Sequence, residues 1–237
     1  GITFNSDLTG TWVNWGSDMI STFSGVEHTN PFGGVSSLIV SGSHLNSALP
    51  ALNHWGAMEQ RQAENPRIPV FGAASSISLS VYVKEYDDPA KAMSHFGISI
   101  YDYTDPKKTY AIFFKWTGGV PVRVNAIGPG ETVKIEDAGR GWYRCSVSVE
   151  GLGLGDPPTA EGDQVVPVLY WGSQSAGVGN GIANRLMYWY APQLEQHPTK
   201  DGFTLPTPYQ AVEPAYPRAS ENTGVYGLTG ASLAYDT

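Results

Sequence analysis

Cysteine, clustered positive charge and long apolar runs are all scarce in this sequence. The single cysteine, Cys145, excludes an internal disulfide, so packing must stabilise the fold. The 14 basic residues are outnumbered by 22 acidic ones and form no cluster. Nucleic-acid binding needs a basic surface that displaces counterions, so it is excluded as the main role. No apolar run approaches the roughly 18 residues of a membrane-spanning helix, so we expect no membrane span.

Charged residues are also few, at 15% of the chain against about 25% in an average soluble protein. Aromatic residues, by contrast, reach 12%, and 28 glycines and 17 prolines supply many turn formers. This combination indicates a β-protein with a packed core and polar loops rather than a disordered chain. The sequence begins at Gly1 without a signal peptide, and we expect it to derive from a processed or longer chain.

Apolar and polar side chains alternate with a two-residue period, which is typical of strands with one buried face. In Ser76–Lys84, for example, every second residue from Ile77 to Val83 is apolar. Turn signals rich in Gly, Pro and Asp separate such runs, and no segment keeps a helical period over three turns. The pattern predicts an all-β protein with two antiparallel sheets. The predicted strands are Ser36–Ser41, Ser76–Lys84, His95–Tyr101, Tyr110–Trp116, Val120–Ile127, Thr132–Glu136, Trp142–Glu150, Gln164–Gly172 and Arg185–Glu195.

The C-terminal segment, Pro198–Thr237, has a different character. It carries five prolines, which cannot pair within a central strand, and a Gly/Ser/Thr-rich end. It also keeps more aromatic and leucine side chains than a disordered segment usually has. We therefore expect a sandwich domain at residues 1–197, followed by an extended Pro-rich arm at 198–237 that packs on its own sandwich or on a neighbouring subunit. A disordered terminus is the alternative.

Several segments occur in an order that resembles a known family. They are Trp12–Trp15, Pro31–Val40, Leu79–Lys84, Gly139–Val147, and Ala191–Glu195 followed by Pro206–Tyr209. Together they resemble the jelly-roll domains, related to carbohydrate-binding modules, that recur in phage tail fibres, tail spikes and other virion surface proteins. The resemblance spans about residues 10–210 and depends on "G-W-Y-R" preceding "Q-L-E" and "P-T-P-Y". Tyr190 and Pro192 depart from the family pattern, so we expect local repacking there.

The resemblance implies a jelly-roll β-sandwich that is not an enzyme. It implies a bacteriophage virion structural or receptor-binding protein of the fibre, spike or decoration type. Its partners would be other virion proteins and a host-surface glycan, and it would be a homo-oligomer, with a trimer favoured. One alternative is a carbohydrate-binding module of a polysaccharide-degrading enzyme. A polysaccharide lyase or hydrolase is a further alternative, although the sequence has neither the Arg-rich strand motif of jelly-roll lyases nor a nucleophile elbow.

Tryptophans outside the strongest strand pattern are the candidates for carbohydrate binding. Trp12, Trp15, Trp55 and Trp171 lie in or beside predicted loops, where an indole ring can stack on the apolar face of a sugar. The alternative is that each ring fills space in the core, since large aromatic side chains suit both roles.

Other aromatic residues are expected to be structural. Tyr110, Trp116 and Tyr143 fall on the inward face of their strands, and the lone thiol of Cys145 falls there too, as a small buried apolar group. Trp142 and Arg144 belong to the family framework, and we expect the arginine to stack over an aromatic ring.

Metal sites are only weakly indicated. Asp102 and Asp105 could supply oxygen ligands for a structural Ca²⁺, as could Asp87–Asp88, but an ordinary turn is the favoured interpretation of both clusters. No other cofactor is expected. The glycine-rich segment Gly177–Gly181 is not a phosphate-binding loop, because no Lys-Ser/Thr pair follows it, and we interpret it as a hairpin tip.

Overall fold

The computed structural model describes residues 12–15, 19–44, 55–60, 68–69, 76–102, 110–127, 131–150, 164–172 and 185–197. The predictions for the arm at 198–237, for Asp105 and for Gly177–Gly181 lie outside these residues.

The described residues form thirteen strands and no helix. In chain order the strands are β1 Trp12–Trp15, β2 Met19–Thr29, β3 Val35–His44, β4 Trp55–Gln60, β5 Ile68–Pro69, β6 Ser76–Glu85, β7 His95–Asp102, β8 Tyr110–Thr117, β9 Val120–Ile127, β10 Glu131–Gly139, β11 Trp142–Glu150, β12 Gln164–Gly172 and β13 Arg185–His197.

These strands pair into two antiparallel sheets. The seven-stranded sheet has the order β1-β4-β12-β7-β8-β9, and β5 also pairs with β12. The six-stranded sheet has the order β10-β11-β6-β13-β3-β2. For the residues that the structure describes, the prediction of an all-β fold with two antiparallel sheets is confirmed. Within the described ranges, no helix is long and apolar enough to cross a membrane.

All nine predicted strands are present, and β9, β11 and β12 have the predicted bounds. Four strands were not predicted: β1, β2, β4 and β5. Their sequences lack a clean two-residue alternation, as in the Ser-, Thr- and Gly-containing β2. Strand β4 is stabilised by neighbours that are distant in sequence, since it pairs with both β1 and β12, whereas β2 pairs along most of β3, the next strand of the same hairpin.

The two sheets pack on each other through a shared apolar core. Phe96 on β7 and Trp189 on β13 meet edge to face across it, with ring centroids 5.6 Å apart. Cys145 is fully buried in this core and forms no disulfide, as predicted. Tyr110 and Trp116 are buried in the core, and Tyr143 packs against it, which confirms their predicted inward positions.

The central strands bury both of their faces, so the prediction of a single buried face is wrong for them. On the outer face of the seven-stranded sheet, Ala111, Phe113, Val168 and Tyr170 form a second buried cluster. On the outer face of the six-stranded sheet, a third cluster is built around Tyr82, Trp142, Tyr188 and Ala191. Alternation along one strand does not reveal that the second face is buried. It distinguishes apolar from polar side chains, and a polar side chain can be buried as well.

Strand β13 contains a bulge next to the third cluster. Tyr190 pairs with Tyr82 and Gln193 pairs with Ser80, so Ala191 and Pro192 together stand opposite the single residue Val81. Ala191 has a φ of 47°, in the left-handed region that non-glycine residues rarely adopt. A bulge also accommodates a proline that a regular central strand would exclude. The local repacking expected at Pro192 therefore takes the form of a bulge.

Candidate functional site

The outer face of the six-stranded sheet brings together segments that are distant in sequence. Strands β11, β6 and β13 lie side by side, and their register places Arg144 opposite Tyr82, and Tyr82 opposite Tyr190. Further along, Ser80 lies between Ser146 and Gln193. Three of the segments that carry the family resemblance, Leu79–Lys84, Gly139–Val147 and Ala191–Glu195, therefore meet on three adjacent strands.

Half of this face is a row of buried polar side chains, here called the polar row. Arg144 donates from Nη2 to Ser80 Oγ at 2.9 Å and to Gln193 Oε1 at 3.4 Å. Its guanidinium carbon lies 5.7 Å from the ring centroid of Tyr82, so the predicted stacking of the arginine on an aromatic ring is confirmed. Burial raises the pKa of Tyr82, and the charge of Arg144 partly offsets this shift. The members of the polar row are Ser78, Ser80, Arg144, Ser146, Gln193 and Glu195.

Some hydrogen-bonding groups of the polar row have no protein partner. Among the described side chains, the hydroxyls of Ser78 and Ser146 and the amide nitrogen of Gln193 are fully buried without a hydrogen bond. Leaving such a group unsatisfied costs about 1–3 kcal/mol. Gln193 still accepts from Arg144, so only half of its amide is satisfied. The polar row therefore retains donors and acceptors beyond those used within the sheet.

The other half of the face, here called the aromatic end, is built from rings. Phe32 packs edge to face on Tyr82 at 5.3 Å and also meets Tyr190 at 6.1 Å. Trp142 is fully buried beneath them, and its indole nitrogen donates to the carbonyl of Thr29 at 3.0 Å. Phe32 itself remains 48% exposed. The members of the aromatic end are His28, Phe32, Tyr82, Tyr86, Trp142, Tyr188 and Tyr190.

The hairpin between β2 and β3 holds Phe32 in this position. Asn30 Oδ1 accepts hydrogen bonds from the backbone nitrogens of Phe32 at 2.9 Å and Gly34 at 3.1 Å, and so closes the turn. Gly33 has a φ of 93°, and a Cβ there would lie 2.6 Å from the guanidinium of Arg140. The segment Asn30–Gly34 therefore needs both its asparagine and its glycine to present the phenylalanine.

A charged cluster borders the aromatic end. Asp87 accepts hydrogen bonds from Lys84 Nζ at 2.7 Å, from His28 Nε2 at 3.1 Å and from the Tyr188 hydroxyl at 3.1 Å. Burial alone would raise the pKa of Asp87, but the bonds from Lys84 and His28 outweigh it and hold that pKa below its ordinary value. Burial, followed by the nearby carboxylate of Asp87, raises the pKa of Tyr188.

The position of Asp87 follows from the loop after β6. Met93 donates from its backbone nitrogen to the Leu186 carbonyl at 2.9 Å, and Leu186 donates to the Lys91 carbonyl at 2.8 Å. These bonds attach the loop to the start of β13 and bring Asp87 beside Tyr188. The side chain of Asp87 is still 58% exposed, so its carboxylate can accept further hydrogen bonds from outside the protein.

The four tryptophan candidates lie in the seven-stranded sheet, at or next to strand ends. Trp12 and Trp15 are the terminal residues of β1, Trp55 begins β4, and Trp171 is the second-last residue of β12. The register pairs Trp171 with Phe96 of the core, and pairs Trp15 with Ala57. Ala57 also pairs with Tyr170, which belongs to the buried cluster on the outer face, so Trp15 and Trp55 occupy outer-face positions in the register. Trp12 and Trp171 occupy the alternate positions of the register, which belong to the inner face. Their role in carbohydrate binding stays a prediction.

Of the two calcium candidates, Asp102 and Asp105, only the backbone of Asp102 falls within the described part of the chain. Asp102 is the last residue of β7, and no group of three or more His, Cys, Asp or Glu residues suited to a metal ion occurs among the described residues. Asp88 Oδ1 instead accepts from the Ala90 nitrogen at 3.0 Å, which is the geometry of an ordinary turn. Calcium binding at Asp102 and Asp105 stays a prediction.

Phe32, His28 and Tyr188 of this face were not singled out in the sequence. Phe32 lies in a Pro-Phe-Gly-Gly turn, where an aromatic residue between turn formers is the one signal that could have marked it. His28 and Asp87 are 59 residues apart, and nothing in their spacing indicates that they meet.

No family model matches the sequence, and no curated protein matches it significantly.

Proposed function

We propose that this chain is a virion structural or receptor-binding domain of the fibre, spike or decoration type, built on a carbohydrate-binding-like jelly roll. The observation that carries the proposal is the meeting of three family-like segments on adjacent strands. Tyr82, Arg144 and Gln193 come from these separate segments and contact one another through the arginine. A shared framework of this kind supports the family resemblance better than any one segment does.

The path of the chain supports the jelly-roll form of the sandwich. The chain leaves one sheet for the other repeatedly, as between β3 and β4, between β6 and β7, and again between β11, β12 and β13. Neighbouring strands within a sheet are therefore often far apart in sequence, as in the order β11-β6-β13. Such crossing connections are characteristic of Greek-key and jelly-roll sandwiches.

Glycan binding is proposed at the aromatic end. A half-exposed ring, Phe32, lies above a ring cluster whose charged border includes the exposed carboxylate of Asp87. A glycan could stack the apolar face of one sugar on Phe32 and donate hydroxyl hydrogen bonds from a neighbouring sugar to Asp87. Proteins commonly bind small ligands with this combination of an apolar surface and a few placed polar groups.

A glycan array probed with the full chain tests this assignment. Phe32→Ala should weaken glycan binding by about tenfold or more, as loss of an aromatic anchor does, with little change in melting temperature because the ring is half exposed. Val35→Ala is the matched control, since Val35 follows the same turn and is 63% exposed. If Phe32→Ala binds normally while Trp15→Ala or Trp55→Ala loses binding, the sugar site lies on the seven-stranded sheet instead.

The alternative function is a carbohydrate-binding module of a polysaccharide-degrading enzyme. The same aromatic end would serve it, so glycan binding alone does not distinguish the two. The mass of the full chain in solution does: an oligomer, with a trimer favoured, supports the virion protein, and a monomer supports the module. Release of reducing sugar from polysaccharides bound on the array would overturn the proposal that the chain is not an enzyme.

A further inference from the structure

The polar row is buried, although no described strand lies over it. Ser78, Ser146 and Gln193 are at most 1% exposed. All the described strands belong to the two sheets, which pack on each other through their inner faces, so none of them lies above the outer face of the six-stranded sheet. The described loops 30–34 and 86–94 lie at the aromatic end instead. The cover of the polar row must therefore come from a segment that is not one of these strands or loops.

Three strands of the six-stranded sheet end beside the polar row. His197 of β13 and Glu150 of β11 both pair with Ser76, which is the first residue of β6. Residues 70–75 and 151–163 connect two of these ends to β5 and β12 of the other sheet, so they must lead away from the outer face. The Pro-rich arm follows the third end and connects to no later described strand. It is therefore the segment best placed to turn back over the polar row.

The sequence of the arm matches the length of the polar row. A turn signal, Asp201-Gly202, follows β13 closely. Within residues 203–209, two residues precede prolines and are thereby restricted to extended conformations, so this segment is expected to span about 20 Å. The distance along β6 from Ser76 to Tyr82 is also about 20 Å, at about 3.3 Å per residue. The segment is therefore long enough to follow the row as far as the ring of Tyr82.

The arm also supplies the hydrogen-bond acceptors that the polar row lacks. The buried amide nitrogen of Gln193 has no acceptor, and the hydroxyls of Ser78 and Ser146 have no partner. Residues 203–209 carry seven carbonyls but only five N–H groups, because two of these residues are prolines. At the far end of the row, Tyr82 offers an aromatic ring of the kind on which extended proline-rich segments dock. A row rich in donors therefore meets a segment rich in acceptors.

We propose that residues 203–209 of the arm dock on the polar row of their own chain. Their backbone carbonyls accept from Gln193 and from the serines, and their prolines pack on Tyr82. Because the polar row is hydrophilic, water can satisfy its groups when the arm is removed, so the sandwich should keep its fold without the arm. Residues 211–237 lie beyond the docked segment and would be available for assembly. This inference does not depend on the proposed function.

Disulfide trapping in the full chain tests the docking. One variant combines Ser78→Cys with Thr204→Cys, and a second combines Ser146→Cys with Thr207→Cys. Neither serine hydroxyl has a hydrogen-bond partner, so its replacement by a thiol breaks no bond, and the native cysteine is fully buried. Two cysteines bond when their Cα atoms lie within about 7 Å. At least one variant should therefore form an intramolecular disulfide in most of the chains, as read by mass spectrometry and non-reducing electrophoresis.

Ser99→Cys, combined with either threonine substitution, is the matched control. Ser99 is also fully buried without a hydrogen-bond partner, but it pairs with Val168 on the outer face of the other sheet. It should form no disulfide with the arm. A disulfide from Ser99→Cys alone would show that the arm lies on the other sheet, and disulfides only between chains would show that a second copy supplies the cover. Either result, or no disulfide in any variant, would overturn the proposal.

Proteolysis of the arm supplies a second test that retains every serine. Gln193→Glu keeps an acceptor for Arg144 but removes the amide donor, so chymotrypsin should cleave within residues 203–209 several-fold faster than in the wild-type chain. Asn125→Asp is the matched control, because it makes the same change on β9, where the oxygen still accepts from the backbone nitrogen of Ala126. It should leave the cleavage rate unchanged. Equal rates for the wild-type chain and Gln193→Glu would contradict the docking.

Discussion

At the scale of single residues, Cys145 tests how completely the core excludes solvent and reagents. Burial raises the pKa of its thiol, and the residue is fully buried within the shared core. We expect a thiol reagent to label it very slowly in the native protein and at a normal rate in denaturant. Cys145→Arg should lower the free energy of unfolding by several kcal/mol, because a buried charge without a partner is among the costliest substitutions. Rapid labelling of the native chain would contradict this.

Asp87 should make stability depend on pH in a defined direction. Because hydrogen bonds to its carboxylate hold the folded pKa below the unfolded one, the ionised form stabilises the fold above the unfolded value of about 3.9. That contribution is lost as the pH falls through the lower, folded pKa. Asp87→Asn should therefore melt slightly below wild type at pH 7, and the difference should shrink as the pH falls below about 4. A difference that stays constant from pH 7 to pH 2 would show that ionisation of Asp87 plays no part.

At the scale of elements, Gly97 permits the close approach of β7 and β8. A Cβ at this position would lie 2.6 Å from the ring of Phe113 and 3.0 Å from the carbonyl oxygen of Ile112. Gly97→Ala should therefore lower the free energy of unfolding by about 1–3 kcal/mol, which is typical of overpacking. Ser99→Ala is a matched control on the same face of β7, and it should be nearly neutral because its buried hydroxyl has no hydrogen-bond partner. Urea denaturation measures both.

The bulge in β13 provides a second test at this scale. Ala191 has a left-handed backbone and is buried among the rings of the third cluster. Ala191→Gly relieves backbone strain of about 1–2 kcal/mol but loses a buried methyl group, so the net change should be small. Ala191→Val should be clearly destabilising, because a β-branched residue fits that conformation worst. Equal stability of the two variants would indicate that the bulge is not rigid.

At the scale of the whole molecule, the Pro-rich arm at 198–237 is expected to contribute to assembly. A stiff, extended segment loses less entropy on docking than a flexible one, and its tyrosines and leucines can serve as anchors. A chain ending at Gln196 should keep its β-sheet circular dichroism but lose its native oligomeric state. Unfolding on truncation would show that the arm belongs to the core of its own domain, and unchanged assembly would remove its proposed role.

The local pattern was sufficient for the strands that alternate, and insufficient for those that do not. The bounds of β9 and β11 were predicted correctly because apolar side chains recur at every second position between clear turn residues. Strand β12 is instead an almost continuous apolar run from Val165 to Trp171. Strand β4 was missed because its pairing partners, β1 and β12, are distant in sequence, and no window of neighbouring residues contains them. Strand β2 pairs with the adjacent β3, and it was missed because its Ser-, Thr- and Gly-containing sequence lacks a clean alternation.

The sequence by itself determined the structural class, the central strands and the residues that face the core, including Cys145, Tyr110 and Trp116. These follow from local periodicity, which depends only on neighbouring residues. Only the tertiary structure decided that the opposite faces are also covered, and that Phe32, His28, Asp87 and Tyr188 gather at one end of one sheet. The order of strands in the sheets brings those residues together, and that order depends on contacts between segments far apart along the chain.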